Sequence, residues 1–162
     1  MSSPAKSDVV RGVLAGAAAG AAGTTALNIT TYLDMVVRGR GASSTPEDSV
    51  ERLAAGAHVT IPGDDRTRGN RVQGLGALLG LLTGTAMGAA VGAVRASGVR
   101  LPAVPAALVT GLVAMVGANA PMTAMKVTDP RTWSVTDWAS DVVPHVVYGA
   151  VTSATLRRLL SK

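Results

Sequence analysis

The sequence predicts an all-α integral membrane bundle of four transmembrane helices, rich in glycine and alanine, with a short amphipathic helix in the first loop. Hydrophobic residues make up 48% of the chain and charged residues only 15%, which is low for a water-soluble domain. Long charge-free runs alternate with polar segments, and a helix over each run matches the roughly 30 Å hydrocarbon core of a bilayer. Within one run glycine recurs at every fourth position, a pattern typical of helices that pack closely in lipid.

A single membrane domain is expected over residues 1–162. The predicted spans cover about 12–33, 72–95, 102–123 and 142–158, and the polar loop 34–71 carries a helix over about 46–57. The first three spans rest on uncharged runs of 22, 23 and 25 residues. The fourth run is uncharged for 15 residues, and the prediction extends it to the arginine pair at 157–158, whose side chains can snorkel to the interface.

The start of the chain also has features of a secretory signal. A positive segment precedes an alanine-rich stretch, and Ala15-Gly16-Ala17 or a later alanine triplet would be the cleavage site. The apolar stretch before Ala17 is short for a signal, and the uncharged run continues well beyond it. We therefore expect an uncleaved first span.

Two glycine series share a four-residue spacing. The first span has Gly12, Gly16 and Gly20, and the second has Gly76, Gly80, Gly84, Gly88 and Gly92. Glycine costs a water-exposed helix roughly 1 kcal/mol relative to alanine, whereas in lipid it lets two backbones touch. Because four residues turn a helix by about 400°, each series winds around its helix and suits a right-handed crossing. We expect these two spans to pack face to face through their glycines.

The polar loop contains a helix-start pattern. Thr45 is the predicted N-cap and Pro46 the first helical residue, with Glu47 and Asp48 in the first turn, where carboxylates suit the helix dipole. Asp48 lies three residues after Thr45, which is a capping-box spacing. The apolar face of this helix consists of Val50, Leu53, Ala54 and Ala57, so we expect it to lie on the membrane surface or to cap the bundle.

The later spans are connected by two contrasting loops. A very tight turn between Arg95 and Arg100 predicts that the second and third spans form an antiparallel hairpin. Pro121 predicts that the third span ends or kinks nearby. The next loop carries Trp133 and Trp138, and tryptophan favours the headgroup level of a membrane.

The distribution of basic residues bears on orientation. Four spans place both termini and the tight turn on one side, with seven lysines and arginines there against eight in the two opposite loops. The seven lie close to span ends, whereas several of the eight are interleaved with acids or lie farther away. We expect a multi-pass protein of the cell (inner) membrane with both termini in the cytoplasm.

The candidate polar site lies at the start of the fourth span. Asp137, Asp141 and His145 follow one another at four-residue intervals, and Tyr148 comes three residues later, so a continuous helix would align them. A carboxylate before a histidine can fix its tautomer, as in a proton relay or half of a metal site. Pro144 leaves open whether the helix starts before or at that residue, and a start there would make His145 a hydrated end residue.

Two asparagines, Asn28 and Asn119, are further candidates for this site. Both lie in predicted spans, where they can meet the site at the bundle centre. Hydrogen bonding between helices, worth about 0.6 to 2 kcal/mol per contact, explains them equally well without any functional role.

Several kinds of chemistry are not expected. The absence of cysteine excludes disulfides, thiolate catalysis and cysteine zinc sites, and two histidines are too few for a convincing metal site. No nucleophile-elbow spacing joins serine, aspartate and histidine, so we expect neither an enzyme nor a cofactor. The net charge of +5 is spread through the loops without clustered aromatics, and we expect no nucleic-acid partner.

Three segments carry a resemblance to known proteins: residues 32–34, 70–76 and 137–149, which read Tyr-Leu-Asp, Asn-Arg-Val-Gln-Gly-Leu-Gly and Asp-Trp-Ala-Ser-Asp-Val-Val-Pro-His-Val-Val-Tyr-Gly. Together they resemble a group of uncharacterised small actinobacterial multi-pass membrane proteins. The acid, histidine and aromatic at the start of the last span are also loosely similar to the YagU-type inner-membrane proteins, over about the last 25 residues. The resemblance implies a membrane location and architecture, and it implies no catalytic residue.

Three function classes follow from these features. The first is a non-enzymatic membrane scaffold or accessory subunit whose glycine and alanine faces bind other helices in the bilayer, either its own copies or another membrane protein. The second is a helical bundle that conducts protons or a small solute through Asp141 and His145. The third is a membrane enzyme, for which the sequence has no evident constellation.

Overall fold

The computed structural model describes residues 6–161, which form five α-helices and one short 3₁₀ helix and contain no β-strand. The helices are α1 (Lys6–Arg38), α2 (Thr45–Gly56), α3 (Asp65–Ala96), α4 (Ala103–Ala124) and α5 (Val135–Leu160), and the 3₁₀ helix is Pro130–Thr132. The predicted all-α class is therefore confirmed for the described part of the chain.

Three of these helices are long and apolar enough to cross a membrane, namely α1, α3 and α4. They correspond to the first three predicted spans and indicate a membrane protein. The remaining long helix, α5, has 26 residues and carries two aspartates and two arginines. A fourth span over α5 stays a prediction.

Two of the membrane helices, α1 and α3, extend beyond their uncharged runs. α1 begins at Lys6 and continues to Arg38, whose guanidinium pairs with the Asp34 carboxylate one turn earlier at 2.6 Å. α3 begins at Asp65, because the side chain of Asp64 accepts a hydrogen bond from the backbone N–H of Thr67 at 2.7 Å. A charge pair therefore accompanies the end of α1, and a side-chain cap marks the start of α3.

The start of α2 differs from the prediction by one residue. Ser44, and not Thr45, is the N-cap, so Pro46 is the second helical residue. The Ser44 hydroxyl donates a hydrogen bond to the Asp48 carboxylate at 2.9 Å, so the predicted capping box between Thr45 and Asp48 is wrong. The helix ends at Gly56, close to the predicted end.

α2 packs against the first turns of α3. Val50 from α2, Ile61 from the following loop and Val72 from α3 form a small buried cluster. Two members of the predicted apolar face, Leu53 and Ala57, are exposed. α2 therefore covers the side of α3 near one end of the bundle.

The four long helices alternate in direction. Gly12 of α1 lies opposite Gly92 of α3, and Arg38 of α1 hydrogen-bonds Ser140 of α5, so both neighbours run antiparallel to α1. α5 is also antiparallel to α4, since Ser153 of α5 hydrogen-bonds the carbonyl of Ala106. The start of α1, the end of α3, the start of α4 and the end of α5 consequently share one end of the bundle.

The order in space is α3, α1, α5, α4. α1 packs extensively on both α3 and α5, and α4 packs on α5, whereas α3 and α4 touch little. The predicted hairpin of these two helices is antiparallel, but it is not a packed pair. The reason is that α1 occupies the glycine face of α3. α3 and α4 therefore touch at few places, such as the contact between Met87 of α3 and Gly117 of α4.

Backbone contact between α1 and α3 occurs at glycines. A Cβ atom built on Gly20 would lie 2.6 Å from the Gly84 carbonyl oxygen and 2.9 Å from Gly88 Cα. One built on Gly16 would lie 2.9 Å from Gly92 Cα. No side chain fits at such distances, so glycine is required for this helix separation.

The five glycines of α3 do not share one partner. Gly84, Gly88 and Gly92 face α1, whereas Gly76 lies against Pro46 of α2, with 3.1 Å between its built Cβ and the Pro46 side chain. Gly80 lies between these two contacts, and a Cβ there would meet nothing within 4 Å. The glycine row is therefore covered at both ends and open at Gly80.

Candidate functional site

α5 starts well before Pro144. Ser134 is its N-cap and forms a capping box with Asp137, in which each side chain bonds the other residue's backbone N–H. Pro144 lies inside the helix and is buried. The alternative in which the last helix begins at Pro144 is therefore wrong, and His145 lies in the third turn of α5.

The capping role of Asp137 separates it from the other acid of the predicted row. Its carboxylate accepts hydrogen bonds from the Ser134 backbone and hydroxyl at 2.9 and 2.7 Å. The hydroxyl of Ser134 holds the pKa of Asp137 below its usual value, and the backbone N–H of the same residue adds to this effect. Asp137 therefore belongs to the cap at the start of α5 and is not part of the pair formed by Asp141 and His145.

Asp141 is held between two helices. Its Oδ2 accepts a hydrogen bond from Nδ2 of Asn119 on α4 at 2.8 Å. Pro121 lies inside α4, which ends at Ala124, three residues later, as predicted for this region. The contact between Asn119 and Asp141 was one of the arrangements that the sequence allowed, and it links the ends of α4 and α5.

His145 contacts both the backbone and the side chain of Asp141. Its Nδ1 lies 2.8 Å from the Asp141 carbonyl oxygen and 3.4 Å from Oδ1 of the carboxylate. Because a carbonyl only accepts, Nδ1 carries the proton in this contact, and the neutral ring has its lone pair on Nε2. The side chains of His145 and Asp141 are 12% and 20% exposed, so the pair is not fully enclosed by protein.

We call Asn119, Asp141 and His145 the polar cluster. It provides one carboxylate, one amide and one imidazole, which is enough to hold a proton or orient a water molecule. Within residues 6–161 no group of three or more His, Cys, Asp or Glu side chains is arranged to hold a metal ion. Proton exchange is one chemistry that these three side chains allow.

Tyr148 and Asn28 do not join the polar cluster. The Tyr148 side chain is buried, and its hydroxyl donates to the Gly84 carbonyl oxygen on α3 at 2.6 Å. It passes beside Gly23 of α1, where a built Cβ would lie 2.9 Å from the tyrosine ring. Asn28 is half-buried on α1, and its side chain makes no hydrogen bond within the described residues.

α4 and α5 meet through small residues that were not among the predicted site residues. A Cβ on Gly111 would lie 2.6 Å from the His145 carbonyl oxygen, and one on Gly149 would lie 2.8 Å from Gly111 Cα. Ser153 also hydrogen-bonds Thr110 at 3.1 Å. The four-residue interval between Gly149 and Ser153 is a sequence feature that could have identified this face. The close packing at Gly149 also positions His145, which lies one helical turn before it.

Comparisons with known proteins add no further assignment. No family model, curated protein or solved structure matches this chain.

Proposed function

We propose that this protein is a four-span scaffold or accessory subunit of the inner membrane, which binds a second copy of itself through the outer face of α3. It needs no catalytic residue for this role. Both termini and the turn between α3 and α4 face the cytoplasm in this arrangement, and α5 is the fourth span.

The observation that carries the proposal is the open part of the glycine row on α3. Only 11% of the most apolar 18-residue stretch of α3 is buried inside the protein, against 33% for α1. A Cβ atom built on Gly80 would meet nothing within 4 Å, and the nearby Ala77 and Leu81 are exposed. A helix in lipid that leaves a glycine uncovered presents a shallow groove into which another helix can pack closely.

Support for a fourth span comes from the surface of α5. Val142, Val143 and Val146 are 37%, 51% and 43% exposed on a helix whose other side packs on α1 and α4. Exposed valines next to a buried proline suit lipid contact better than water contact. The antiparallel order of the four long helices fits the same topology.

Mass measurement of the purified protein in mild detergent tests this role. We expect a dimer for the unmodified chain and a monomer for Gly80→Ile, because a branched side chain fills the groove. Leu82→Ala, on another face of α3, serves as the matched control and is expected to remain dimeric. A monomeric unmodified protein, or a dimer that persists in Gly80→Ile, would contradict the proposal.

The polar cluster supports a second candidate, a proton-conducting bundle. Ionisable residues within a membrane helix are functional candidates, and Nδ1 of His145 lies beside Asp141 while Nε2 carries the lone pair of the neutral ring. Proton flux into proteoliposomes, read with a trapped pH dye, is expected to exceed that of empty vesicles and to be lost in Asp141→Asn. Equal flux in protein-containing and empty vesicles would remove this candidate.

A further inference from the structure

The two ends of the bundle differ sharply in charge. We call the basic end the one formed by the start of α1, the turn after α3 and the end of α5. Within residues 6–161 it carries six cations and one carboxylate, Asp8. The cations are Lys6, Arg11, Arg95, Arg100, Arg157 and Arg158. Within residues 6–161 none of the six forms an ion pair.

The opposite end is close to neutral. Residues 34–71 and 126–141 contain eight lysines and arginines and nine carboxylates. Four of these arginines form ion pairs with acids of the same end: Arg38, Arg40, Arg68 and Arg131. A simple count of basic residues treats the two ends as alike, whereas the excess of positive over negative charge lies at the basic end.

A groove opens at the basic end between α1 and α5, with a volume of about 700 Å³. Its walls are mainly apolar and include Val10 and Leu14 from α1 and Leu159 from α5. Ala15 and Ala18 also line it, and it is widely open on its outer side. Among residues 6–161, the charged residues that line it are Lys6 and Arg11, which lie in the first turns of α1.

We propose that this groove binds an anionic phospholipid. An acyl chain lies along Leu14 and Leu159, and the headgroup phosphate is bound by Lys6 and Arg11. An apolar channel with two unpaired cations at its charged end complements this ligand, since the chain needs an apolar surface and the phosphate needs charge-assisted donors. A zwitterionic lipid would offer the same chains but would place its own cation beside the arginine.

Native mass spectrometry of the full chain in detergent, with equal amounts of phosphatidylglycerol and phosphatidylcholine of the same acyl chains, tests the site. We expect a preferential phosphatidylglycerol adduct. Removing both cations in Lys6→Gln/Arg11→Gln should weaken it about 25-fold, at about fivefold for each basic residue. The matched control is Arg66→Gln/Arg131→Gln, which removes two cations from the opposite end and should leave the adduct unchanged.

Two further measurements separate the groove from general charge attraction. Ala18→Phe fills the groove without changing charge, and it should remove the adduct while circular dichroism reports an unchanged helix content. Raising the salt concentration on the unmodified protein should lower the phosphatidylglycerol adduct and not the phosphatidylcholine one. Equal adducts of the two lipids, equal loss in the control pair, an adduct that survives Ala18→Phe, or a preference insensitive to salt would each overturn the proposal.

Discussion

Replacing Gly20 by alanine tests the backbone contact between α1 and α3 with the smallest possible change. The added methyl would lie 2.6 Å from the Gly84 carbonyl oxygen, whereas ordinary contact begins at 3.4 Å. The two helices must therefore separate locally by about 0.8 Å. A gap of that size forfeits about a quarter to a half of the dispersion energy of the neighbouring atom pairs.

The expected cost of Gly20→Ala is about 1 to 3 kcal/mol of unfolding free energy, the usual range for overpacking a close interface. Unfolding by SDS in mild detergent, followed by the fluorescence of Trp133 and Trp138, measures it. Gly74→Ala, also on α3, is the matched control, since its methyl meets nothing within 4 Å, and its effect should stay within about 0.5 kcal/mol. Equal destabilisation by the two changes, or none by Gly20→Ala, would refute the reasoning.

Further predictions concern single hydrogen bonds. Tyr148→Phe removes the hydrogen bond that the tyrosine donates to the Gly84 carbonyl and should cost about 0.5 to 1.5 kcal/mol in the same unfolding assay, while Tyr32→Phe, at an exposed site, should cost little. Asp141→Asn should keep the proton of His145 on Nδ1, because the backbone carbonyl holds it there, and a change to the Nε2 tautomer in ¹⁵N NMR would contradict this. The hydrogen bond from Arg131 lowers the pKa of Asp129 to about 2, so Arg131→Gln should raise it towards 3.8, as read from its carboxyl ¹³C shift. Because this pKa is depressed on folding, its stabilising contribution is present above pH 3.8 and is lost as the pH falls through about 2; an unchanged titration in Arg131→Gln would be inconsistent with this cause.

Hydropathy and spacing predict much of this fold, because the bilayer sets helix length and glycine spacing sets which faces can approach. The uncharged runs locate α1, α3 and α4, and the four-residue glycine series on α1 and α3 identify the faces that lie together. Which helices are neighbours is less accessible from sequence. The tight turn at 95–100 suggests a packed α3 and α4 pair, yet α1 and α5 provide better complementary surfaces and separate the two.

For the polar cluster, too, spacing within one helix is predictable from the sequence, whereas contacts between helices are not. The interval between Asp141 and His145 identifies two members, because residues four apart share a helix face. Two hydrogen bonds depend on helix positions that no local pattern encodes. They join Asn119 to Asp141 and Tyr148 to Gly84. The start of α5 was accessible in principle, since Ser134 and Asp137 have capping-box spacing.

The four-span topology is the central claim, and single-cysteine labelling tests it most directly because the natural chain contains no cysteine. One cysteine at a time replaces Asp65, Ser97, Arg131 or Ser161, all at exposed positions outside the packed interior. Intact cells are then treated with a membrane-impermeant maleimide. We expect labelling at Asp65 and Arg131 and none at Ser97 and Ser161 until the membrane is opened. Labelling of Arg131 and Ser161 from the same side would contradict the account, because α5 would then not cross the membrane.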